Sequence, residues 1–408
     1  MKIAVIGGGA SGLVCAITVA EKAKLNKLPV EITMFEAKDR PGKKILATGN
    51  GRCNLMNENT GDFYFDLNGF SSYALKRFDV TGNLDFFASL GLYTRSDDEG
   101  RIYPLSNQAT SVLDALRFAC ERLDVNILTE HPIDTIKVHK DGFLLNSEHL
   151  FDKVVLACGG KAAVKNFNGY ELLRQVGHTV TELKPSLTKL EVDDKKTVRQ
   201  LKGVRQKGEF ILLQGGTEIA REKGELLFTD YGLSGIAVMQ LSAFVGRCKG
   251  KIRVVADFVN EMSFFELFDA INRYVKSNPE LRNENLLSGF VPKKLGEVVI
   301  KSLGFSLNDC SGRLSERDVK AIADKLKKFT FTVSGLRGFD DAQVTAGGAD
   351  TRYFNSKTME SKKVKGLYCT GELLDVDGLC GGYNLHWAWS SGRLCGESII
   401  NDFLNRKG

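Results

Sequence analysis

The chain has 408 residues, 43% of them hydrophobic and 26% charged, and a net charge of +6. This is the composition of a globular protein, and the length predicts two or three domains rather than one core. No apolar run reaches about eighteen residues and the N-terminus enters a strand pattern at once, which predicts a cytoplasmic protein without a membrane span or secretion signal. Nine scattered cysteines, with no CxxC pair and no histidine at ligand spacing, argue against disulfides and a metal site.

The first predicted unit is a strand, a turn, a helix and a second strand. Residues 3–6 are a short apolar run, as in a parallel strand that is buried on both faces. Apolar residues recur at helical spacing over 13–20. Residues 30–35 then form the second strand, which ends in Glu36.

The same alternation continues further along the chain. A helical pattern covers 111–123, and strand patterns cover 125–128 and 154–157, the last closed by Cys158-Gly159-Gly160. Strands that alternate with helices predict an α/β fold of the Rossmann type.

After about Pro185 the pattern changes. Short β-rich runs at 210–213, 225–228 and 252–258, separated by turns with glycine, predict a small barrel or sandwich. Two capping-box patterns then predict the starts of helices; they are Ser263 with Glu266 and Ser315 with Asp318.

The predicted architecture is therefore a discontinuous Rossmann-type domain with an inserted β-barrel and an inserted helical domain. The predicted boundaries are 1–186 for the first part of the Rossmann domain, 187–260 for the barrel, 261–330 for the helical domain and 331–408 for the second part.

The turn Gly7-Gly8-Gly9-Ala10-Ser11-Gly12 fits the dinucleotide fingerprint G-x-G-x-x-G, and it lies between a strand and a helix. Gly7 allows the tight turn, Gly9 allows a pyrophosphate to approach the backbone, and Gly12 allows close packing of helix on strand. Glu36, at the end of the next strand, is placed to accept hydrogen bonds from the ribose hydroxyls and disfavours a 2′-phosphate.

Two further segments favour FAD over NAD. Residues 40–54 form a second glycine-rich polar loop directly after Glu36, where a plain NAD domain would continue with its next βα unit. Gly371-Glu372 and Asp375 come next, and the segment 381–384 opens the last predicted helix, 382–404. The positive end of such a helix can stabilise negative charge on the pyrimidine ring of a reduced flavin.

These residues also resemble a known family. The segments GGGASG, KKILATGNGRCN, GELLFTDYGLSG, FTVSGLRGFDDAQVTAGGA and GLYCTGELLDVDGLCGGYNLHWAWSSG are similar to the flavoproteins that include aminoacetone oxidase and a bacterial bile-acid dehydro-reductase. Members are often called NAD(P)/FAD-dependent oxidoreductases. The resemblance extends from residue 4 to residue 396 and implies an FAD domain with an inserted β-barrel and a helical domain. His386 is a departure, since the family leads us to expect glutamine there.

The predicted cofactor-binding residues come from five segments of the chain. They are Gly7, Gly9, Ala10, Ser11 and Gly12; Glu36, Ala37, Arg40, Lys44, Thr48, Gly49, Asn50, Gly51, Arg52, Cys53 and Asn54; Ile133; Ala157 and Gly159; and Gly371, Glu372, Asp375, Gly381, Gly382 and Asn384.

The catalytic residues stay open at this level. Cys53 is either a thiol that can attack the flavin or a buried structural cysteine. Three acidic residues, Glu372, Asp375 and Asp377, can bind a substrate amine, transfer a proton or stabilise a turn. Tyr383 and His386 are open in the same way.

The inserted part, 187–330, is expected to cover the substrate, because both of its connections lead back to the cofactor domain. Thr229, Tyr231 and Ser234, in the loop of 224–235, either approach the flavin or only support the loop.

The leading hypothesis is an FAD-dependent oxidoreductase that moves a hydride between a small or steroid-like substrate and non-covalent FAD. NADH or NADPH as a transient donor, or oxygen as acceptor, would complete the cycle. The alternatives are an RNA-modifying flavoenzyme and a non-enzymatic redox sensor. A basic run from Lys195 to Lys207 is either a solvated strand face or an anion-binding surface. The low net charge argues against nucleic acid as a partner, and the oligomeric state stays open.

Overall fold

The computed structural model describes residues 1–61, 63–164 and 167–405. The chain forms two compact units, which are residues 1–184 with 344–408 (the first unit) and residues 185–343 (the second unit). Among the described residues, no helix is both long enough and apolar enough to cross a membrane.

In chain order the strands are β1 (Lys2–Ile6), β2 (Glu31–Phe35), β3 (Met56–Asn57), β4 (Tyr64–Asp66), β5 (Thr94–Ser96), β6 (Arg101–Pro104), β7 (Asn126–Leu128), β8 (Ile136–His139), β9 (Gly142–Leu145), β10 (His149–Phe151), β11 (Lys153–Leu156), β12 (Lys184–Ser186), β13 (Leu190–Val192), β14 (Arg205–Gln214), β15 (Thr217–Phe228), β16 (Gly232–Ser234), β17 (Ile252–Asp257), β18 (Phe329–Leu336), β19 (Val344–Ala346), β20 (Leu367–Cys369) and β21 (Val376–Gly378).

The helices are α1 (Ala10–Leu25), α2 (Lys43–Ala47), α3 (Ser72–Arg77), α4 (Val80–Ser89), α5 (Ala109–Arg122), α6 (Gly169–Gln175), α7 (Lys195–Gln200), α8 (Ile236–Val245), α9 (Phe264–Ser277), α10 (Lys293–Ser302), α11 (Glu316–Lys327) and α12 (Tyr383–Asn405). Short 3-10 turns lie at Thr48–Gly51, Asn283–Asn285, Ser311–Arg313, Thr351–Tyr353 and Gly371–Leu373.

The first unit is built on a parallel sheet with the strand order β20-β11-β1-β2-β7. Its register places Ile3 opposite Ile32 on one side and Lys153 on the other. From β1 the chain passes to β2 on one side of the sheet, and it later returns through β11 on the other side. Such a reversal of strand order opens a crevice at the carboxyl ends of the strands, where doubly wound folds bind their ligands. The predicted Rossmann-type fold is confirmed.

Helices α1 and α12 pack closely together within this unit. The residues of α1 from Ser11 to Ala20 are buried, and Trp387 and Trp389 of α12 are buried with them. A β-carbon on Gly392 would lie 2.5 Å from the backbone oxygen of Ser11, so a glycine is needed where the helices meet. This packing fixes the two helices whose N-termini carry predicted site residues.

The second unit contains a closed barrel with the strand order β13-β16-β15-β14-β17-β18. Its interior is filled by aromatic side chains, including Phe210, Phe228 and Phe331. Both predicted capping boxes are present; Ser263 begins α9 and Ser315 begins α11. The predicted β-barrel and the predicted helices are therefore confirmed.

The domain boundaries differ from those expected. Residues after 331 were assigned to the Rossmann domain, but β18 pairs with β17 and β13 and closes the barrel, so the chain returns to the first unit only at Val344. The barrel and the helices also share one core, since Leu267 and Val319 pack in the same cluster as Phe210. Strand β18 was misassigned because an isolated β pattern does not reveal which sheet it joins.

Candidate cofactor-binding site

The turn between β1 and α1 has the geometry that an anion site requires. Gly7 has a φ of +107°, and a β-carbon there would lie 2.5 Å from the backbone oxygen of Ala157. A β-carbon on Gly12 would collide with the backbone oxygen of Gly7, so both glycines are needed for packing. Gly9 is different, because a β-carbon there would meet no atom within 4 Å. The space beside Gly9 is therefore open to a ligand.

The N-terminus of α1, where Ala10 and Ser11 lie, offers its backbone N–H groups to that open space. Gly9 is the N-cap residue, and within the described part of the chain no side chain caps this helix and no acidic residue lies in its first turn. Uncapped N–H groups and the positive end of the helix dipole together favour a bound anion.

Glu36 lies at the end of β2 and is half-buried. Its Oε2 accepts a hydrogen bond of 2.9 Å from the backbone N–H of Gly8, and its Oε1 accepts one of 2.9 Å from that of Lys38. The carboxylate is thereby fixed beside the glycine turn, and its remaining lone pairs can accept hydroxyl donors.

The loop after Glu36 folds back over the glycine turn. The backbone N–H of Gly42 donates to the backbone oxygen of Gly8 at 2.7 Å. Further along, Gly49 and Asn50 have left-handed backbone angles, with φ of 56° and 55°. The Thr48 hydroxyl donates to the Ile45 carbonyl at 2.6 Å and so supports this turn.

Five of the predicted cofactor-binding residues, in this loop or just before it, are exposed to solvent. They are Ala37, Arg40, Asn50, Gly51 and Arg52. The guanidinium of Arg52 lies 4.7 Å from the centre of the Tyr103 ring. The structure holds Arg52 through this stacking contact and a hydrogen bond to Gly49 O.

Cys53 is a buried thiol. It is fully inaccessible to solvent, and burial raises its pKa to about 12 against a lowering contribution from Thr48. A thiol with that pKa stays protonated at neutral pH and is a poor nucleophile. Of the two interpretations of Cys53, the geometry favours the structural one.

Three other predicted positions lie after strands of the parallel sheet: Ala157 and Gly159 follow β11, and Ile133 follows β7. Ala157 follows β11, is buried, and donates its N–H to the Ile6 carbonyl at 2.8 Å; Gly159 has a φ of +73°, and a β-carbon there would meet nothing within 4 Å. Ile133 is buried, and the segment before it is held by a hydrogen bond of 3.0 Å from His131 N–H to the Glu36 carbonyl.

The acidic residues after β20 have separate partners. Glu372 forms an ion pair with Lys44 at 2.8 Å and accepts a hydrogen bond of 2.9 Å from Thr345 N–H. Asp375 accepts a hydrogen bond of 2.8 Å from the Thr181 hydroxyl. Asp377 is buried in β21. The three carboxylates therefore form no single acidic cluster, and Lys44 with Glu372 joins the loop of 40–54 to Gly371.

The N-terminus of α12 meets the loop of 40–54. Gly381 and Gly382 have φ of +120° and +103°, and a β-carbon on Gly382 would lie 2.8 Å from Oδ1 of Asn54. That Asn54 oxygen is buried and has no hydrogen-bond partner in the described residues. The Asn384 amide, in contrast, is used locally, since it accepts from Gly378 N–H and donates to Gly378 O, both at 2.8 Å. Asn384 shapes the turn.

These observations fit FAD. The open space at Gly9, the uncapped N-terminus of α1 and the Glu36 carboxylate suit a pyrophosphate and a ribose. At the other end of the set, two buried oxygens lack partners in the described residues, Asn54 Oδ1 and the hydroxyl of Thr370, which precedes Gly371. Buried polar atoms of this kind are normally satisfied, so they point to a bound group with donors.

One aromatic cluster, around Tyr383, was not predicted from the sequence. The Tyr383 ring stacks on Phe63 with ring centres 4.6 Å apart and meets the edge of Tyr64 at 5.9 Å. Tyr64 also donates its hydroxyl to the Tyr383 carbonyl at 3.1 Å. Phe63 and Tyr64 lie far from Tyr383 in the sequence, and only the position of Tyr383 directly after Gly382 signalled a role.

His386 of α12 is buried and neutral. Burial lowers its pKa to about 4, and its Nε2 donates to the Phe78 carbonyl at 3.3 Å. It is a structural residue of the helix packing.

The basic run of 195–207 spans helix α7, the turn after it and the start of strand β14, so it does not form the strand face that one of the two interpretations expected. Lys202 pairs with Asp230 at 2.9 Å and Arg205 with Glu225 at 2.8 Å. These pairs partly neutralise its positive charge.

Comparison with known proteins places the chain in a family. The family described as HI0933-like protein Rossmann domain matches residues 1–398. The chain is 38% identical, over 97% of its length and 98% of the relative's, to the 3-dehydro-bile acid delta(4,6)-reductase of Clostridium scindens.

Two further relatives have a different name. Ribosomal RNA dihydrouridine synthases of Haemophilus influenzae and Escherichia coli are 32% and 30% identical to the chain, each over 97% of both proteins. The family match covers both units, the glycine turn and most of the last helix described above. The chain therefore belongs to the HI0933-like family and is an FAD-dependent oxidoreductase with a Rossmann domain.

Proposed function

We propose that this oxidoreductase reduces a carbon–carbon double bond conjugated with a carbonyl group, in a small or steroid-like molecule. The observation that carries the proposal is the 38% identity, along the whole chain, to a 3-dehydro-bile acid delta(4,6)-reductase. That name describes an oxidised position 3 and reduction of double bonds at positions 4 and 6. The name dihydrouridine synthase, carried by two other relatives, also describes saturation of a double bond next to a ring carbonyl.

FAD, when bound, supplies the hydride chemistry, so the protein has to position the substrate and hold charge and protons. The N-terminus of α1 would hold the pyrophosphate and Glu36 the ribose. The N-terminus of α12 would face the pyrimidine ring and stabilise negative charge there.

Saturation of the double bond also needs a proton, and Tyr383 is our candidate donor. Burial raises the pKa of Tyr383 to about 12, so its hydroxyl is protonated at neutral pH. The hydroxyl has no hydrogen-bond partner within the described residues, while stacking on Phe63 holds the ring in place. A fixed, protonated phenol can donate to the carbonyl oxygen or the adjacent carbon of a conjugated substrate.

We further propose that NADH or NADPH delivers electrons transiently, since one dinucleotide fingerprint is found in the sequence and Glu36 belongs to it. A cytoplasmic location would supply this donor. It is supported by the cysteines, which form no disulfide in the described part of the chain, as suits a reducing compartment.

An RNA substrate is the second candidate, because two relatives are named as ribosomal RNA dihydrouridine synthases. The partial neutralisation of the basic run by Asp230 and Glu225 argues against a strong phosphate-binding surface there. We therefore rank it below a small molecule.

The test uses the FAD-loaded protein, reduced without oxygen and mixed with either a 3-oxo steroid with conjugated double bonds or an unmodified ribosomal RNA transcript. We expect reoxidation of the flavin and a saturated steroid product. Reoxidation by the transcript alone would favour the second candidate, and reoxidation by neither would contradict both. Tyr383→Phe should slow the steroid reaction about a hundredfold or more, the scale of general acid catalysis, and leave FAD bound.

A further inference from the structure

A cavity that is open to solvent on one side lies in the first unit, bordered by α1, the end of α3, α4 and α12. Its volume is about 270 Å³. The lining residues are Thr18, Glu21, Lys22, Arg77, Phe78, Gly82, Phe86, Arg393 and Glu397. None of them belongs to the predicted cofactor-binding set. The volume is slightly below the range for small-ligand sites, about 300–1,000 Å³, so an occupant must be small.

Arg393 has unused hydrogen-bond donors in this cavity. Its guanidinium is held between two rings, 4.3 Å from the centre of Phe78 and 4.9 Å from that of Phe86. One nitrogen, Nη1, donates to the Gly82 carbonyl at 2.6 Å and to Asn83 Oδ1 at 3.3 Å. The Nε and Nη2 groups have no acceptor within the described residues, and no carboxylate there lies within 4 Å of the guanidinium.

The two carboxylates that line the cavity do not pair with the Nε and Nη2 groups of Arg393. Glu397 Oε1 accepts from Lys22 and from Arg77, both at 3.0 Å. Burial opposes the ionisation of Glu397, but these two cations outweigh it and lower its pKa. Glu21 accepts no hydrogen bond in the described part of the chain, and burial raises its pKa against the charges of Arg122, Arg393 and Lys22.

Arg393 is half-buried, and removing part of its hydration without supplying an acceptor for every donor costs free energy. Burial lowers the pKa of Arg393 to about 10, which reflects the loss of water around the charge. The two free groups, Nε and Nη2, lie on one edge of the planar fork and donate in parallel. This is the arrangement that binds the two oxygens of a carboxylate.

We propose that this cavity binds a small monocarboxylate, held by the Nε–Nη2 edge of Arg393, with its apolar part against Phe78 and Phe86. Three cations and two carboxylates line the cavity, so its formal net charge is +1 (three minus two). A single negative charge therefore suits it better than the double charge of phosphate.

The site is separated from the cofactor end of the same helices. Glu21 and Arg393 lie ten or more residues beyond the N-termini of α1 and α12, which is roughly 15 Å along each helix. A ligand here would contact the backs of the two helices whose first turns serve the cofactor.

The experiment titrates the FAD-loaded protein with benzoate, its neutral isostere benzamide, and inorganic phosphate, by calorimetry. In parallel, protein with ¹⁵N-labelled arginine reports the Nε–H resonance of Arg393, which is assigned through Arg393→Lys. We expect saturable binding of benzoate with a shift of that resonance, weaker binding of phosphate and none of benzamide.

Two variants and a control separate this site from others. Arg393→Lys keeps the charge but loses the fork, and should weaken benzoate binding about tenfold to a hundredfold. Glu21→Gln removes a like charge without touching a hydrogen bond, and should tighten binding roughly two- to fivefold. Arg117→Lys, at an exposed arginine of α5, should change nothing.

Several results would overturn the proposal. These are no binding of benzoate to the unmodified protein, equal or tighter binding of benzamide or phosphate, or benzoate affinity unchanged in both Arg393→Lys and Glu21→Gln. Because Glu21→Gln leaves the packing of Arg393 intact, failure of the lysine variant to fold would not remove the test.

Discussion

At the scale of single residues, Glu36 offers the sharpest test of cofactor binding. Its carboxylate is fixed by the N–H groups of Gly8 and Lys38 and retains acceptor capacity for ribose hydroxyls. Charge-assisted hydrogen bonds of this kind are worth about 1.5–3 kcal/mol, so Glu36→Ala should weaken FAD binding roughly tenfold to a hundredfold. Glu31→Ala, at an exposed acid of the same strand, is the matched control. Equal FAD affinities of the two variants would show that the ribose is held elsewhere.

Substitution of Cys53, unlike that of Glu36, should have little effect on FAD binding and turnover. Its thiol is inaccessible and its pKa is raised to about 12 by burial, so it should take no covalent part in the reaction. Cys53→Ala is expected to bind FAD and to reduce substrate at nearly the original rate, with a small loss of stability from the missing sulfur atom. Steady-state kinetics and thermal unfolding check this. A loss of turnover with FAD still bound would restore the thiol as a catalytic candidate.

His386 couples stability to pH. Burial lowers its pKa to about 4 in the folded protein, below the ordinary 6.5, so the unfolded chain binds more protons between these values. Its contribution is therefore fully present above pH 6.5, and stability falls as pH drops toward 4. His386→Gln can still donate to Phe78 O, and it should reduce this slope by up to about 1.4 kcal/mol per pH unit.

Urea unfolding of both proteins across pH 4–7 measures the difference. His178, whose pKa burial also lowers to about 4, stays in both and provides a common background slope. Identical slopes would mean that His386 is not protonated on unfolding in this range.

At the scale of elements, sequence patterns predicted the bounds of strands that are buried on both faces and the starts of helices that have a capping box. The all-apolar runs at 3–6 and 154–157 correspond to β1 and β11, because a strand covered on both faces leaves no polar position. The capping boxes located the starts of α9 and α11, because two short-range hydrogen bonds specify them. The strands β8 to β10 were not predicted, because polar and apolar residues are mixed on their exposed faces.

The barrel strands show the same limit. Only the apolar ends of β14 and β15 were predicted, yet these strands run over Arg205–Gln214 and Thr217–Phe228. Their charged positions alternate with buried ones and pair across the sheet, as Arg205 does with Glu225. A strand with one exposed face is recognised by alternation, which glycine and the bulge near Leu212 interrupt here.

The loop of 224–235 carries the prediction that belongs to this scale. Thr229 closes the turn by hydrogen bonds with Gly232, and the Tyr231 ring lies under the guanidinium of Arg337 at 4.7 Å. Ser234 is buried and pairs with Leu227. These contacts favour a supporting role, whereas a substrate-facing role remains a prediction.

Tyr231→Ala and Ser234→Ala decide between the two roles. A substrate-facing loop requires altered kcat or KM with FAD still bound. Thr217→Ala, at an exposed position of the same barrel, controls for general effects on the second unit. Unchanged kinetics with lower unfolding stability would establish the loop as structural.

At the scale of the whole molecule, the sequence predicted the fold class and the glycine turn but not the contacts that assemble the site. The ion pair of Lys44 with Glu372 joins residues 328 positions apart, and no local pattern encodes such a pairing. The stacking of Tyr383 on Phe63 is equally remote in sequence. The boundary at Val344 also depends on which sheet β18 joins, and that is a tertiary choice.

We expect the first unit to bind FAD without a covalent link, and identification of the released cofactor tests this most directly. The purified protein is heat-denatured, the precipitate removed, and the released chromophore identified by chromatography and quantified against protein. The purified protein should be yellow and release FAD at about one molecule per chain. Colourless protein that takes up no FAD on reconstitution, or a flavin that stays with the precipitate, would contradict it.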